Sequence, residues 1–290
     1  MQTPFKHPDC PLVVYTDLDG TLLDHDSYAF EPALPALQRL ASLNVPVIPV
    51  TSKTLAELLV LGRELDLHGP CITENGGVIA VPEGYFGGGT SQQTEDGYHL
   101  EYLSPHYETI VDQLAKLRNR FGFRFEGFSD LSVDAVAEQT GLGIEEAQRA
   151  KQRLCSEPLS WHDSDIAFEQ FATELEALDY TLVKGGRFYH VLGETDKAHA
   201  IGKLNAMFAT AGFTGYTSMA LGDSPNDRQM LLAADVAVAV RRKDGSWLDL
   251  NTDMEIIRTS ATGPDGWNEA IQHYLDRTAA QSATERTQHG

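Results

Sequence analysis

Pro11-Leu12-Val13-Val14-Tyr15, followed after Thr16 by Asp17-Leu18-Asp19-Gly20-Thr21, decides the fold. The apolar run reads as a buried strand, and two carboxylates stand two residues apart at its end. In a parallel α/β sheet, sites form at the carboxyl ends of strands, and Gly20 allows the tight turn that aims both acids at one centre. An EF-hand also uses Asp-x-Asp, but its twelfth loop position must be a bidentate Glu. Here that position is Tyr28, and no helix precedes the loop.

Three later segments complete such a site in workable order. Val47-Ile48-Pro49-Val50 is a short buried-strand pattern that runs into Thr51-Ser52-Lys53. Hydroxyls and backbone N–H groups thereby collect where a helix starts, which is a phosphate cradle. Met219-Ala220-Leu221 leads into Gly222-Asp223-Ser224-Pro225-Asn226-Asp227, a second strand tip with acids at its mouth. Lys197 opens the amphipathic stretch 198–209.

Strand-like and helix-like segments alternate at 12–15, 32–43, 47–50, 55–65 and 70–73, the pattern of βαβ units in a parallel sheet. Residues 76–80 read as a hairpin edge. The Gly-rich 84–89 reads as a flexible connection, because no Lys-Ser/Thr helix start follows it. From about Ser104 the grammar becomes α+β. Helices are expected at 107–121, 133–139, 144–154 and 165–178, and strands at 123–128, 180–184 and 187–192, the last two joined by Gly185-Gly186. After 193 the alternation resumes, with 217–221, 227–234 and 236–240. The expected organisation is therefore a core in two pieces, 1–103 and 194–290, around an insert at 104–193, with a polar end that frays from about residue 277.

Composition removes whole classes of partner. Forty-two acidic against 22 basic residues leave a formal charge of −20, which repels nucleic acid and anionic membrane surfaces. No apolar run approaches the roughly 18 residues of a membrane helix. Residues 1–9 include Lys6, His7 and Asp9, where a signal peptide would be apolar. Cys10, Cys71 and Cys155 are scattered and fit free thiols in a reducing cytoplasm. The expected partner is a small molecule; no oligomeric state follows from the sequence.

With these segments in view, the chain resembles the haloacid dehalogenase (HAD) superfamily of aspartate-nucleophile phosphatases. Asp17 and Asp19 match its first motif, Thr51 its second, Lys197 its third and 222–227 its fourth. Glu74-Asn75-Gly76-Gly77, Phe128-Ser129-Asp130, 136–142, Ser156-Glu157-Pro158 and 185–191 resemble its mannosyl-3-phosphoglycerate phosphatase family, over roughly residues 12–275. The resemblance implies a Rossmann-like core with a parallel sheet and an α+β cap inserted between the second and third motifs. It also implies a Mg²⁺-dependent phosphatase acting on a phosphorylated glycoside, mannosyl-3-phosphoglycerate, through an aspartyl-phosphate. A glucosyl analogue or another sugar phosphate is the alternative, and phosphomutases share the core.

The roles that follow are specific. Asp17 is the nucleophile, Asp19 the acid/base, and Thr51 and Lys197 hold phosphoryl oxygens. Asp17, Asp19, Asp223 and Asp227 supply a hard, oxygen-only metal site. Ser52 and Asn226 are assigned to substrate, as are the cap residues Ser129, Asp130, Glu157 and His190 toward sugar hydroxyls. Arg187 is expected to fork onto the glycerate carboxylate.

Overall fold

The computed structural model describes residues 5–6, 8, 10–87 and 96–288. Its first elements are β1 (Leu12–Thr16), α1 (Leu34–Ser42), β2 (Val47–Pro49), α2 (Leu55–Glu64), β3 (Cys71–Thr73), β4 (Val78–Pro82) and β5 (Tyr98–Tyr102). Then follow α3 (Tyr107–Phe121), β6 (Phe125–Gly127), α4 (Val133–Thr140), α5 (Ile144–Ala150), β7 (Ser156–Trp161), α6 (Asp165–Glu176), β8 (Tyr180–Lys184) and β9 (Tyr189–Gly193). The chain ends with α7 (Lys197–Thr210), β10 (Thr217–Gly222), α8 (Arg228–Ala233), β11 (Val236–Arg241), β12 (Ile256–Thr262) and α9 (Gly263–Gln288). Among the described residues, no helix is long and apolar enough to cross a membrane.

Two compact units divide the chain. One comprises Lys6–Val47 and Gly215–Gly290; the other comprises Ile48–Thr214 together with Phe5. In the first, a sheet runs in the order β12-β11-β10-β1-β2, with β2 starting in this unit at Val47. β1, β10, β11 and β12 pair in parallel, Thr16 standing opposite Leu221. All five residues of β1 are buried, as expected of a strand covered on both faces. From α9, the fully buried Trp267 donates its indole N–H to the Thr16 hydroxyl at 3.0 Å, one residue before Asp17. β12 and α9 were not anticipated from the sequence. The helix runs to Gln288 where a frayed end was expected, because its first half is anchored by Trp267, Ile271 and Leu275, which are buried. Residues 289–290 of that expected tail lie outside the described residues.

The second unit contains two antiparallel sheets, β3-β4-β5 and β6-β7-β9-β8. The segment at 70–73 was expected in the parallel sheet. It makes one parallel bridge, Val50 with Ile72, and otherwise pairs antiparallel with β4, because the turn after Thr73 sends the chain straight back. Of the Gly-rich loop, residues 88–89 lie outside the described residues. In the second sheet, β8 and β9 form the expected hairpin, but through the four-residue loop 185–188 rather than a Gly185-Gly186 turn, because Lys184 pairs with Tyr189 and neither glycine takes a positive φ. Leu159 and Val191 pack fully buried against Ile110, Leu114 and Phe171 from the helices. Each such aliphatic side chain contributes about 1.5–3 kcal/mol.

Candidate active site

In the first unit, the strand pairing carries past β1, since the Asp17 amide donates to the Leu221 carbonyl at 2.9 Å. The chain then closes a tight loop: the Leu23 amide donates to the Leu18 carbonyl at 2.8 Å, and Gly20 sits at φ +83°. A side chain at Gly20 would also press on the Asp223 carboxylate, so both backbone and space require glycine. From the tip of β10, Asp223 accepts a bond from the Thr21 hydroxyl at 3.2 Å. Asp227 braces this loop by accepting the amides of Asp223 and Ser224 at 3.1 and 2.9 Å. Arg242, unmarked by any sequence motif, donates Nε to the Asp223 carbonyl at 2.7 Å.

These contacts bring together Asp17, Asp223 and Asp227, all buried, with one oxygen of each within 4.8 Å of the others. Burial, and then the Asp227 charge, push Asp223 up to about 6. A buried, all-carboxylate donor set suits a hard divalent cation, whose charge opposes that elevation. The Asp19 carboxylate is not part of this group of three; Asp19 is half-buried on the turn. Asn226 is half-buried in the short 3₁₀ turn Pro225–Asp227.

The second unit holds the other expected phosphate ligands. Thr51 is buried, donates its amide to the Ile72 carbonyl at 3.0 Å, and accepts the Lys53 amide on its hydroxyl at 3.2 Å. Ser52 is half-buried beside it. The open helix start expected here is filled. Thr54 caps α2, and Glu57 reaches back to accept the Thr54 amide at 2.8 Å, so the chain's own carboxylate occupies that end. Lys197 is fully buried at the first position of α7, which Asp196 caps through the His199 amide.

The cap candidates divide. Ser129 and Glu157 are brought together, but onto each other: Glu157, fully buried, accepts the Ser129 amide and hydroxyl at 2.8 and 2.6 Å and the Tyr107 hydroxyl at 2.8 Å. Burial raises the Glu157 carboxyl. Asp130 is held by Arg118 through two bonds, at 3.0 and 2.6 Å, and accepts the Gly127 amide. Arg187 is exposed and donates to the Thr140 carbonyl. His190 is buried with Nδ1 unpartnered among the described residues, and burial, then the Arg153 and Lys197 charges, push it down to about 3. Tyr107 and Arg153 escaped the sequence reading, because Glu157, the partner of the first, and Ser52 and Glu74, partners of the second, lie far along the chain.

The family described as haloacid dehalogenase-like hydrolase matches residues 14–93. A glucosyl-3-phosphoglycerate/mannosyl-3-phosphoglycerate phosphatase of Methanococcoides burtonii is 37% identical over 266 residues, spanning 91% of this chain and 97% of the relative. The chain belongs to that relative's family, within the HAD-like hydrolases. It is a phosphoric monoester hydrolase. Solved structures agree on the fold. A Thermoplasma acidophilum protein aligns with a TM-score of 0.64 at 16% identity, covering 91% of this chain and 97% of that one. A HAD-superfamily phosphatase of Bacteroides thetaiotaomicron aligns with a TM-score of 0.63 at 18% identity, covering 92% and 96%.

Proposed function

We propose that this enzyme hydrolyses mannosyl-3-phosphoglycerate to mannosylglycerate and phosphate in the cytoplasm. The observation that carries the reading is the buried trio of Asp17, Asp223 and Asp227, in a chain whose relative bears both glycosyl-3-phosphoglycerates in its name. That double name supports the glucosyl ester as a second substrate of the same site.

The Asp17 carboxylate attacks phosphorus and forms an aspartyl-phosphate, splitting the displacement into two steps. Asp19 gives its proton to the departing glycerate oxygen, then takes one from the water that cleaves the acyl phosphate. Lys197 and the Thr51 hydroxyl, with Ser52 beside it, are assigned to the phosphoryl oxygens, where fixed positive charge and a donor stabilise the transition state. Asp17, Asp223 and Asp227 are assigned to Mg²⁺, with the Leu18-Asp19 backbone as a further oxygen. When bound, the ion screens these acids from the phosphate.

Residues 104–193 are proposed as the cap that selects the substrate. Within it, Ser129, Asp130, Glu157 and His190 are assigned to sugar hydroxyls and Arg187 to the glycerate carboxylate, Ser129 and Glu157 being held together by their own bonds; Asn226 is assigned to substrate from the fourth motif. The test is phosphate release from mannosyl- and glucosyl-3-phosphoglycerate, a panel of hexose phosphates and p-nitrophenyl phosphate, with isomerisation monitored alongside. Isomerised sugar phosphate without free phosphate would establish a mutase instead. Arg187→Lys should cost about tenfold or more in kcat/KM on the glycerate esters and little on p-nitrophenyl phosphate, since a lysine loses the two-donor fork. Equal losses on both would remove Arg187 from substrate recognition.

A further inference from the structure

We propose that Arg153 is a positioning residue for phosphoryl transfer, clamping the loop that carries Thr51 through the Ser52 carbonyl. This rests on the assignment of Thr51 and Lys197 to the phosphoryl group. Arg153 lies in the short connection between α5 and β7, and its side chain is 3% exposed. Its Nη2 donates to the Ser52 carbonyl at 3.2 Å and to the Ser156 hydroxyl at 2.5 Å, and its Nε to the Ser156 carbonyl at 3.2 Å. Across from it, Nε to Oε2 at 3.5 Å, stands the wholly buried Glu74. That carboxylate also accepts the amides of Leu154 and Cys155 at 2.7 and 3.1 Å and the Ser156 hydroxyl at 2.7 Å. A buried ion pair this fully satisfied fixes geometry rather than adding stability.

What it fixes is the turn that follows β3. Glu74 and Asn75 both take left-handed backbone, at φ 52° and 59°, which residues other than glycine adopt only under constraint. In that conformation the Asn75 amide donates to the Thr51 carbonyl at 2.9 Å and the Glu74 amide to the Lys53 carbonyl at 3.0 Å. The next residue, Gly76, abuts the start of α7, where any side chain would collide with the Asp196 carbonyl beside Lys197. One turn therefore supports both the Thr51 loop and the helix start that presents Lys197. Arg153 holds the turn through Glu74 and the loop through Ser52. Both phosphate-binding elements thus take their register from a residue of the cap connection.

The test compares wild type with Arg153→Lys and Ser156→Ala in Mg²⁺-containing buffer, well below the melting temperature. Lysine keeps the charge beside Glu74 but cannot make the fork to Ser52 and Ser156. For Arg153→Lys, kcat with p-nitrophenyl phosphate should fall about tenfold or more, and competitive inhibition by inorganic phosphate should weaken by a similar factor. Ser156→Ala should give a smaller loss in both, roughly threefold, by loosening the same clamp. A merely structural brace would lower the melting temperature and leave phosphate inhibition of the folded enzyme unchanged; that result overturns the proposal. Should Arg153→Lys not fold, Ser156→Ala decides, and wild-type values there overturn it. Wild-type activity on p-nitrophenyl phosphate separates this failure from a failure of the phosphatase reading.

Discussion

Two of the buried sets of charge in this molecule are built on opposite principles. Glu74 and Arg153 balance each other, and every oxygen of the carboxylate has a donor. Asp17, Asp223 and Asp227 bring one oxygen each within 4.8 Å of the others, and burial together with the Asp227 charge pushes Asp223 up to about 6. The first set joins opposite charges; the second gathers like ones. A pair of opposite charges serves geometry, while a cluster of carboxylates suits a hard cation.

The largest effect that would break this contrast is in the trio. Asp17→Asn keeps shape and removes both nucleophile and ligand, so turnover should vanish while the fold persists; residual turnover above about one part in a thousand would sink covalent catalysis by Asp17. Chelation should silence the enzyme reversibly, and saturating Mg²⁺ should raise the melting temperature, since a ligand at about 100 times its Kd adds about 2.7 kcal/mol. Activity unchanged in metal-free buffer would remove the ion from the trio.

The sharpest comparison concerns sign. Glu74→Gln strands the buried Arg153 cation and should cost about 3–5 kcal/mol, lowering the melting temperature by roughly 10 °C. Asp223→Asn, without metal, removes a repelled charge and should raise the melting temperature by a few degrees while activity collapses. Thermal scans of both variants are the measurement; a fall in both would mean that the trio is balanced by a cation elsewhere.

The smallest effect is the control. Asp130 lies below its usual range because of its bonds to Arg118, so its contribution is full above the unfolded value near 4 and is lost as pH falls through the folded one. The pair is about one-third exposed, so Asp130→Asn should flatten the acid limb of stability by only about 0–1 kcal/mol. A larger change would show that exposure is a poor guide to which of these charges matter.

Legibility in the sequence followed the range of the interactions. The loop of Asp17 to Thr21 and that of Asp223 to Asp227 were readable because each is a local strand-to-turn event within a few residues. The β8–β9 hairpin was readable for the same reason. The pairing of β3 was not, since a three-residue apolar run suits either sheet and only the left-handed turn at Glu74 selects the antiparallel one. β12 presents half-exposed residues rather than a clean apolar run, and it escaped notice. Residue type marked Glu157 as a candidate for sugar hydroxyls; its bond from Tyr107, 50 residues earlier, is one that no spacing rule reaches. The filled start of α2 could have been foreseen, because Thr54 and Glu57 stand at capping-box spacing.

The pairing of β1 with β10 also governs how the molecule is made. Thr21 and Asp223, bonded in the finished protein, are separated by 202 positions in the chain. A ribosome adding about 5–20 residues per second needs some 10–40 seconds to deliver the second after the first. During that interval β1 has no β10 to pair with, while Ile48–Thr214, continuous in sequence, is being made. The strand that leads into Asp17 is thus synthesised first and completed late, and a nascent chain stalled before residue 217 leaves one edge of the buried β1 open, the kind of segment that chaperones are built to shield.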